Sequence, residues 1–242
     1  MKLLKLGGAV CLTLILAACG TDSDTKASDT TSPPESSSPS RPAPPADKGP
    51  ECDGAKNTNG VHVLRGGTTV LPGGGKAAYT EAGADGKHRT AMLTLDNTGQ
   101  TVTAGRKVTV KGRSFTVAQI CAYRVVLTTP DHSSTNEGAD MDKWPTTQDG
   151  HWRLRWHVPD NGPAMGAVVT DIQSGPARAS ISVTASGKGQ LAFYGDVRDG
   201  STVEIAGQLW KVETINAGNT DSAVNSPDFK AGYVDLRRLG DA

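Results

Sequence analysis

Residues 102–120 read VTAGRKVTVKGRSFTVAQI, and residues 197–215, 95 positions later, read VRDGSTVEIAGQLWKVETI. Val102, Gly105, Val108, Val110, Gly112, Phe115, Val117 and Ile120 of the first stretch stand where the second has Val197, Gly200, Val203, Ile205, Gly207, Trp210, Val212 and Ile215. In each copy apolar side chains alternate on either side of a glycine, which is the pattern of two strands joined by a tight turn. Val108 and Val110 share one face, and Phe115 and Val117 share the face that answers it. Strict alternation after Val117 puts the next apolar residue at 119, yet it falls at Ile120, and the second copy slips at the same place, at Ile215 after Val212. A slip common to both copies predicts a common β-bulge and an internal duplication.

Working outward, alternation at the strand period recurs along the chain. It predicts strands at Val61–Leu64, Ala77–Glu81, Thr90–Asp96, Val108–Lys111, Ser114–Ile120 and Tyr123–Thr128. A second group is predicted at Trp152–Val158, Gly166–Ile172, Ala179–Thr184, Gln190–Val197, Thr202–Ala206, Leu209–Ile215 and Tyr233–Leu239. Turn residues such as Asp85-Gly86, Asn97-Thr98-Gly99, Asn161-Gly162 and Asp199-Gly200 separate many of them. The expected fold is all-β, with two tandem small antiparallel barrel or sandwich modules related by duplication, at 51–130 and 151–242. An acidic linker at 131–150 would join them. One continuous sandwich containing both halves is the alternative.

The chain begins differently. Lys2 and Lys5 precede an apolar run from Leu6 to Ala18, densest at Leu12–Leu16. A spanning helix needs about 20 apolar residues, so this shorter run reads as an export signal over residues 1–18. It ends in Leu16-Ala17-Ala18-Cys19, which resembles the lipobox of bacterial lipoproteins. The resemblance covers the export signal alone, and the folded part resembles no family. It implies a diacylglycerol on the Cys19 sulfur, cleavage after Ala18, and anchoring to the outer face of the bacterial cytoplasmic membrane. Two or more acyl chains give a stable anchor, where one gives only marginal binding.

From residue 20 to 50 the sequence is rich in Pro, Ser and Thr and has no aromatic residue. Such a segment buries too little apolar surface to offset its ordering entropy, so residues 19–50 read as a lipidated cysteine followed by a disordered tether. At about 3.1 Å per residue when extended, it spans up to roughly 100 Å. Cys11 leaves with the signal and Cys19 takes the lipid, so Cys52 and Cys121 remain in the folded part. Disulfides persist outside the membrane, and two leftover cysteines pair most simply with each other. A reactive Cys121 nucleophile is the competing reading, but the sequence places no base beside it.

A formal net charge of zero conceals a division. Residues 57–130 carry nine Lys or Arg against three acids, residues 131–150 carry five acids against one lysine, and the remainder is nearly balanced. Arg106, Lys107, Lys111 and Arg113 gather about the repeated hairpin and are candidate anion-binding residues. Outside a bacterial membrane the anions to hand are lipid headgroups and phosphate-bearing wall polymers, and nucleic acid is not an expected partner. The acidic residues Asp131, Glu137, Asp140, Asp142 and Asp149 lack the ligand spacing of a calcium loop. In Trp152-Arg153-Leu154-Arg155-Trp156-His157-Val158, a strand sends the tryptophans, Leu154 and Val158 to one face and the bases to the other. That face is either core or a groove for sugar or peptide.

Signatures of a nucleophile elbow, a zinc protease helix, a phosphate loop and a dinucleotide fold are missing. No catalytic residue, metal ligand or cofactor is therefore assigned. The reading is a membrane-anchored, non-catalytic binding or interaction protein of the cell envelope, with an anionic envelope polymer or a protein as partner. The alternative is an envelope hydrolase acting on wall material.

Overall fold

The repeated stretches form the same hairpin in the computed structural model, which describes residues 47–56, 60–130, 144–219 and 226–242. In the first copy β7 (Lys107–Val110) pairs with β8 (Arg113–Cys121), Val108 opposite Phe115. In the second, β15 (Thr202–Ile205) pairs with β16 (Gln208–Asn216), Val203 opposite Trp210. (The labels count strands in chain order.) Both turns hold two residues with positive φ, Lys111 and Gly112 at 47° and 77°, and Ala206 and Gly207 at 57° and 68°. That is the requirement of the hairpin turn that matches strand twist, and it explains the shared glycine.

The bulges fall where the slipped alternation puts them. The register of β8 against β9 (Arg124–Thr128) shifts between Val117 and Gln119, and that of β16 against β17 (Tyr233–Asp241) shifts between Val212 and Thr214. One extra residue restores Ile120 and Ile215 to the inner face, and both are buried.

The duplication extends through every strand of the repeat. The first repeat continues with β2 (Val61–Leu64), β3 (Thr68–Val70), β4 (Lys76–Ala84), β5 (Arg89–Leu95) and β6 (Thr98–Thr103). The second has β10 (His151–Arg155), β11 (Asp160–Asn161), β12 (Met165–Ser174), β13 (Ala177–Ala185) and β14 (Gly189–Val197) in the same order. The sheet β3-β4-β5-β6 answers β11-β12-β13-β14, and β2-β9-β8-β7 answers β10-β17-β16-β15. A second pair of bulges, between Tyr79 and Glu81 and between Val169 and Asp171, and parallel bridges at Arg65–Tyr79 and Trp156–Val169 also correspond. The additional strand β1 (Cys52–Gly54) pairs with the far end of β8. All strand pairs are antiparallel, and neither pair of sheets closes into a barrel.

Two cores result. Val63, Tyr79, Leu93, Phe115, Val117 and Ile120 are among the buried residues of the first. Leu154, Val169, Ile181, Tyr194, Trp210 and Val212 are among those of the second. Trp152 lies between Trp144 and Trp210, with ring centroids 5.3 and 5.2 Å away. The Asp160 carboxylate accepts the indole N–H groups of Trp144, at 3.1 Å, and of the central Trp152, at 2.7 Å. Trp144 thus belongs to the second core, seven residues before β10 begins. Asp131, Glu137, Asp140 and Asp142 lie outside the described residues, as do the export signal, Cys19 and the tether up to residue 46.

The structure departs from the sequence reading in places. The strand expected over Trp152–Val158 ends at Arg155, because His157 turns into the left-handed region at φ 55°. Trp152 and Leu154 are buried as the alternation requires, but Val158 is 50% exposed. The alternation also misses β1, β3 and β11, of two or three residues each, and β6, whose only buried side chain is Val102.

Phe115 and Trp210, 1% and 0% exposed, occupy equivalent sites. Truncating either to Ala is expected to cost about 3–5 kcal/mol. Denaturant unfolding of the two variants checks this, and a cost below about 1 kcal/mol for either would show that its site is not a core site.

Candidate functional site

The two repeats meet along a polar seam that no motif announces. Glu204 points from β15 into the junction, and its carboxylate is 5% exposed. Oε1 lies 2.9 Å from His62 Nδ1 on β2, and Oε2 accepts from Arg124 Nη1 on β9 at 3.1 Å. An ionised carboxylate only accepts, so the His62 contact calls for a proton on Nδ1. Arg124 also reaches Gln119 Oε1 at 3.5 Å, while Arg124 Nε and His62 Nε2 are buried without partners. Behind Glu204, its backbone carbonyl accepts the Tyr194 hydroxyl at 2.6 Å. Burial beside Glu204 pushes the Tyr194 hydroxyl well above its ordinary value.

Main-chain contacts flank this seam. Phe193 N–H on β14 donates to the Arg65 carbonyl at 2.8 Å, and Gln190 Nε2 donates to the Gly66 carbonyl at 3.0 Å. Gly67 is required there, since a Cβ would come within 1.7 Å of the Leu191 carbonyl oxygen. Cys121 and Tyr123 of the first repeat are buried within the second core, and Cys52 and Leu64 pack against it. The junction is therefore part of the fold, not a loose contact between independent modules.

Cys52 and Cys121 are disulfide-bonded, as their position as leftover cysteines predicts. They face each other across β1 and β8 with Cα atoms 4.0 Å apart, and the bond spans 69 residues. Loop-closure entropy rates such a bridge at roughly 4 kcal/mol. Its neighbourhood is aromatic: the Tyr79 hydroxyl donates to the Cys121 carbonyl at 3.0 Å, and Cys52 Sγ lies 3.6 Å from the Tyr123 hydroxyl. Burial pushes the Tyr79 hydroxyl up to about 12.

Where the chain enters the fold, Arg89 at the head of β5 is almost fully buried. Its Nε donates to the Pro50 carbonyl at 2.7 Å, and its Nη1 donates to Asp47 at 2.7 Å. Its backbone N–H donates to Asp53 at 3.0 Å. Burial raises the Asp47 carboxyl, but the hydrogen bonds from Arg89 and the Gly49 N–H and the charges of Arg89 and Arg65 outweigh it, leaving the group below its ordinary value.

The four candidate anion-binding residues are all exposed, and the structure divides them into two pairs. Arg106 and Lys107 stand at the start of β7, while Lys111 and Arg113 stand at the turn, about 13 Å further along at roughly 3.3 Å per residue. At the turn, Lys111 Nζ donates to the Gly74 carbonyl at 3.2 Å, and Arg113 lies over Gly73. None of the four makes a salt bridge among the described residues. The second repeat has Ser201, Thr202, Ala206 and Gln208 in their places, so the charge belongs to one copy only.

Arg153 and Arg155 do form a basic outer face on β10. Arg153 makes a two-pronged ion pair with Asp235, 2.7 Å at each prong, and lies 3.8 Å above the Tyr233 ring. Among the described residues, no group of three or more His, Cys, Asp or Glu side chains is placed to hold a metal ion. Comparison with known protein families, curated proteins and solved structures finds no match for this chain.

Removing one partner of the buried pair strands a charge, which typically costs 3–5 kcal/mol, while replacing both by apolar groups is far milder. Glu204→Leu alone is expected to cost about 3–5 kcal/mol, and the Glu204→Leu/Arg124→Leu double variant appreciably less than the sum. A double-mutant cycle by denaturant unfolding measures this, and additive costs would show that the two residues are not coupled.

Proposed function

We propose that this chain is a lipoprotein held by Cys19 to the outer face of the bacterial cytoplasmic membrane, with a non-catalytic folded part that binds an anionic polymer of the envelope. The observation that carries the location is Leu16-Ala17-Ala18-Cys19 at the end of a short apolar segment. The Cys52–Cys121 disulfide agrees with it, because such bonds persist in oxidising compartments. Support for the ligand class comes from Lys111 and Arg113, which stand at an exposed turn and make no salt bridge among the described residues. Cations so placed attract anions over roughly a Debye length, about 8–10 Å at ordinary salt.

Replacing Cys19 with Ala is expected to release the protein from membranes or leave its signal uncut. Fractionation and mass measurement check this, and a processed Cys19→Ala protein that still partitions with the membrane would refute the anchor. The whole mature chain carrying that substitution is expected to sediment with anionic vesicles and purified wall polymer but not with neutral vesicles. Binding should weaken as salt rises. Lys111→Glu with Arg113→Glu should lower affinity by roughly tenfold or more, at about 1 kcal/mol per cation near an anionic surface. Equal binding to neutral and anionic surfaces would sink the electrostatic reading.

A further inference from the structure

Both cations of the β7–β8 turn reach across to the other sheet of the first repeat and meet one glycine loop there, between β3 and β4. Lys111 Nζ donates to the Gly74 carbonyl at 3.2 Å. The Arg113 side chain crosses Gly73, with Cδ 2.8 Å and Nη1 3.6 Å from where a Cβ on that glycine would stand. A side chain at 73 would push Arg113 away, so glycine is what lets it lie down. Gly74 is exposed, and a Cβ built there would meet nothing within 4 Å. The two charged groups thus flank one open patch of backbone, on residues whose Cα atoms stand about 3.8 Å apart. Lys111 keeps two of its three donors after the bond to Gly74. The Arg113 guanidinium has no hydrogen bond or ion pair among the described residues. Asp96 stands beside the loop, its Oδ1 accepting the Lys76 N–H at 2.8 Å, but it makes no ion pair with either cation.

Nothing in the fold asks for charge at this place. The second repeat has Ala206 and Gln208 where the first has Lys111 and Arg113, and Ala206 is buried. Its corresponding loop, between β11 and β12, is closed by an indole: a Cβ on Gly162 would come within 2.3 Å of Trp144 Cγ. One copy therefore seals this end with apolar groups, and the other leaves it open under two cations. The turn does not ask for lysine either. Lys111 has φ 47°, in the left-handed region where Asn, Asp and Gly are the usual occupants. Ala206 shares that conformation at φ 57° but packs in a core, whereas Lys111 is exposed and no packing accounts for it.

We infer that Lys111, Arg113 and the Gly73–Gly74 loop form a site for a phosphodiester group. The inference rests on the reading of this turn as an anion site and narrows it. A carboxylate holds its two oxygens in one plane, and the guanidinium fork alone satisfies it. A phosphate carries oxygens out of any single plane, so the fork can grip one pair while the ammonium, a point charge, meets the same group from the side. Lipid headgroups and wall polymers both carry this group outside a bacterial membrane, and the recognition chemistry is common to them.

The test titrates the whole mature chain carrying Cys19→Ala, by calorimetry, with poly(glycerol phosphate), with polyglutamate of matched length, and with phosphatidylglycerol vesicles. The phosphate polymer is expected to bind about tenfold or more tightly than polyglutamate, as one further charge-assisted hydrogen bond provides. Arg113→Lys keeps the charge and removes the fork. It should weaken the phosphate polymer by about tenfold while leaving polyglutamate binding and the thermal midpoint unchanged. Lys111→Asn, which suits the turn, should weaken the phosphate polymer without lowering the midpoint. Binding confined to vesicles, and lost with Arg113→Lys, would keep the phosphodiester site and move it to the lipid, against the polymer named above. Indifference of both phosphate probes to Arg113→Lys, or polyglutamate bound as tightly as they are, would overturn the site while leaving a general anion-binding surface. Failure of every anionic probe to bind would overturn both.

Discussion

A carboxylate withdrawn from water must find its partners inside the protein, and Glu204 finds both of its partners on the other repeat. Desolvating one such ion costs several kcal/mol, recovered only where geometry and hydrogen bonding are good. Neither repeat therefore presents its natural surface without the other: separation would uncover Glu204, Arg124 and His62 together. Cys121 and Tyr123 carry the same dependence in apolar form, because they complete a core that belongs to the second repeat. The disulfide ties β1 to the end of the strand that supplies Cys121, so the covalent bond, the apolar contact and the ion pair secure one junction.

Duplication explains why the junction takes this form. Two equivalent units in tandem cannot both hide the same surface against each other unless they meet about a twofold axis, and these do not. One unit offers its dock and the other its edge strands, and later divergence shaped what was left. Thr109 stands where the second repeat has Glu204, and Lys111 and Arg113 stand where it has Ala206 and Gln208. In the second repeat the turn is covered, with Ala206 buried and the Gly207 carbonyl accepting the N–H of Ala242. In the first, the same turn stays open and charged. One backbone thus yields a closed end and an exposed cationic end.

The hairpins and their bulges were legible in the sequence because parity records which face a residue occupies, and a parity slip at Ile120 and Ile215 has no other cheap cause. The disulfide was legible by counting thiols. Short strands were not, since two or three residues such as Thr68–Val70 cannot establish a period. The end of β10 escaped for a different reason. Trp152, Leu154, Trp156 and Val158 keep perfect alternation, but alternation carries no information about φ, and His157 turns the chain. The junction escaped because its members are remote in sequence: Glu204 lies 142 residues from His62 and 80 from Arg124. The four basic residues read as one cluster in sequence, yet a strand's rise separates Arg106 and Lys107 from Lys111 and Arg113.

The point at which the chain enters the fold shows how position and strength can be divided between two kinds of bond. Arg89 holds Asp47 and the Pro50 carbonyl, fixing where the preceding chain leaves the surface. The Asp47 carboxyl is held below its ordinary value, so its contribution is fully present above about pH 3.9, the unfolded value. It is lost only as pH falls through the lower folded value. That contact sets direction across the neutral range, but a half-exposed ion pair resists little force. Under the proposed lipid anchor, tension would pass along Pro50 and Glu51 to Cys52. There it crosses a covalent bond into β8, the strand that pairs with β1, β7 and β9 and runs into the junction. If the proposed anchor loads the chain, the ion pair orients the entry and the disulfide carries the force into that sheet.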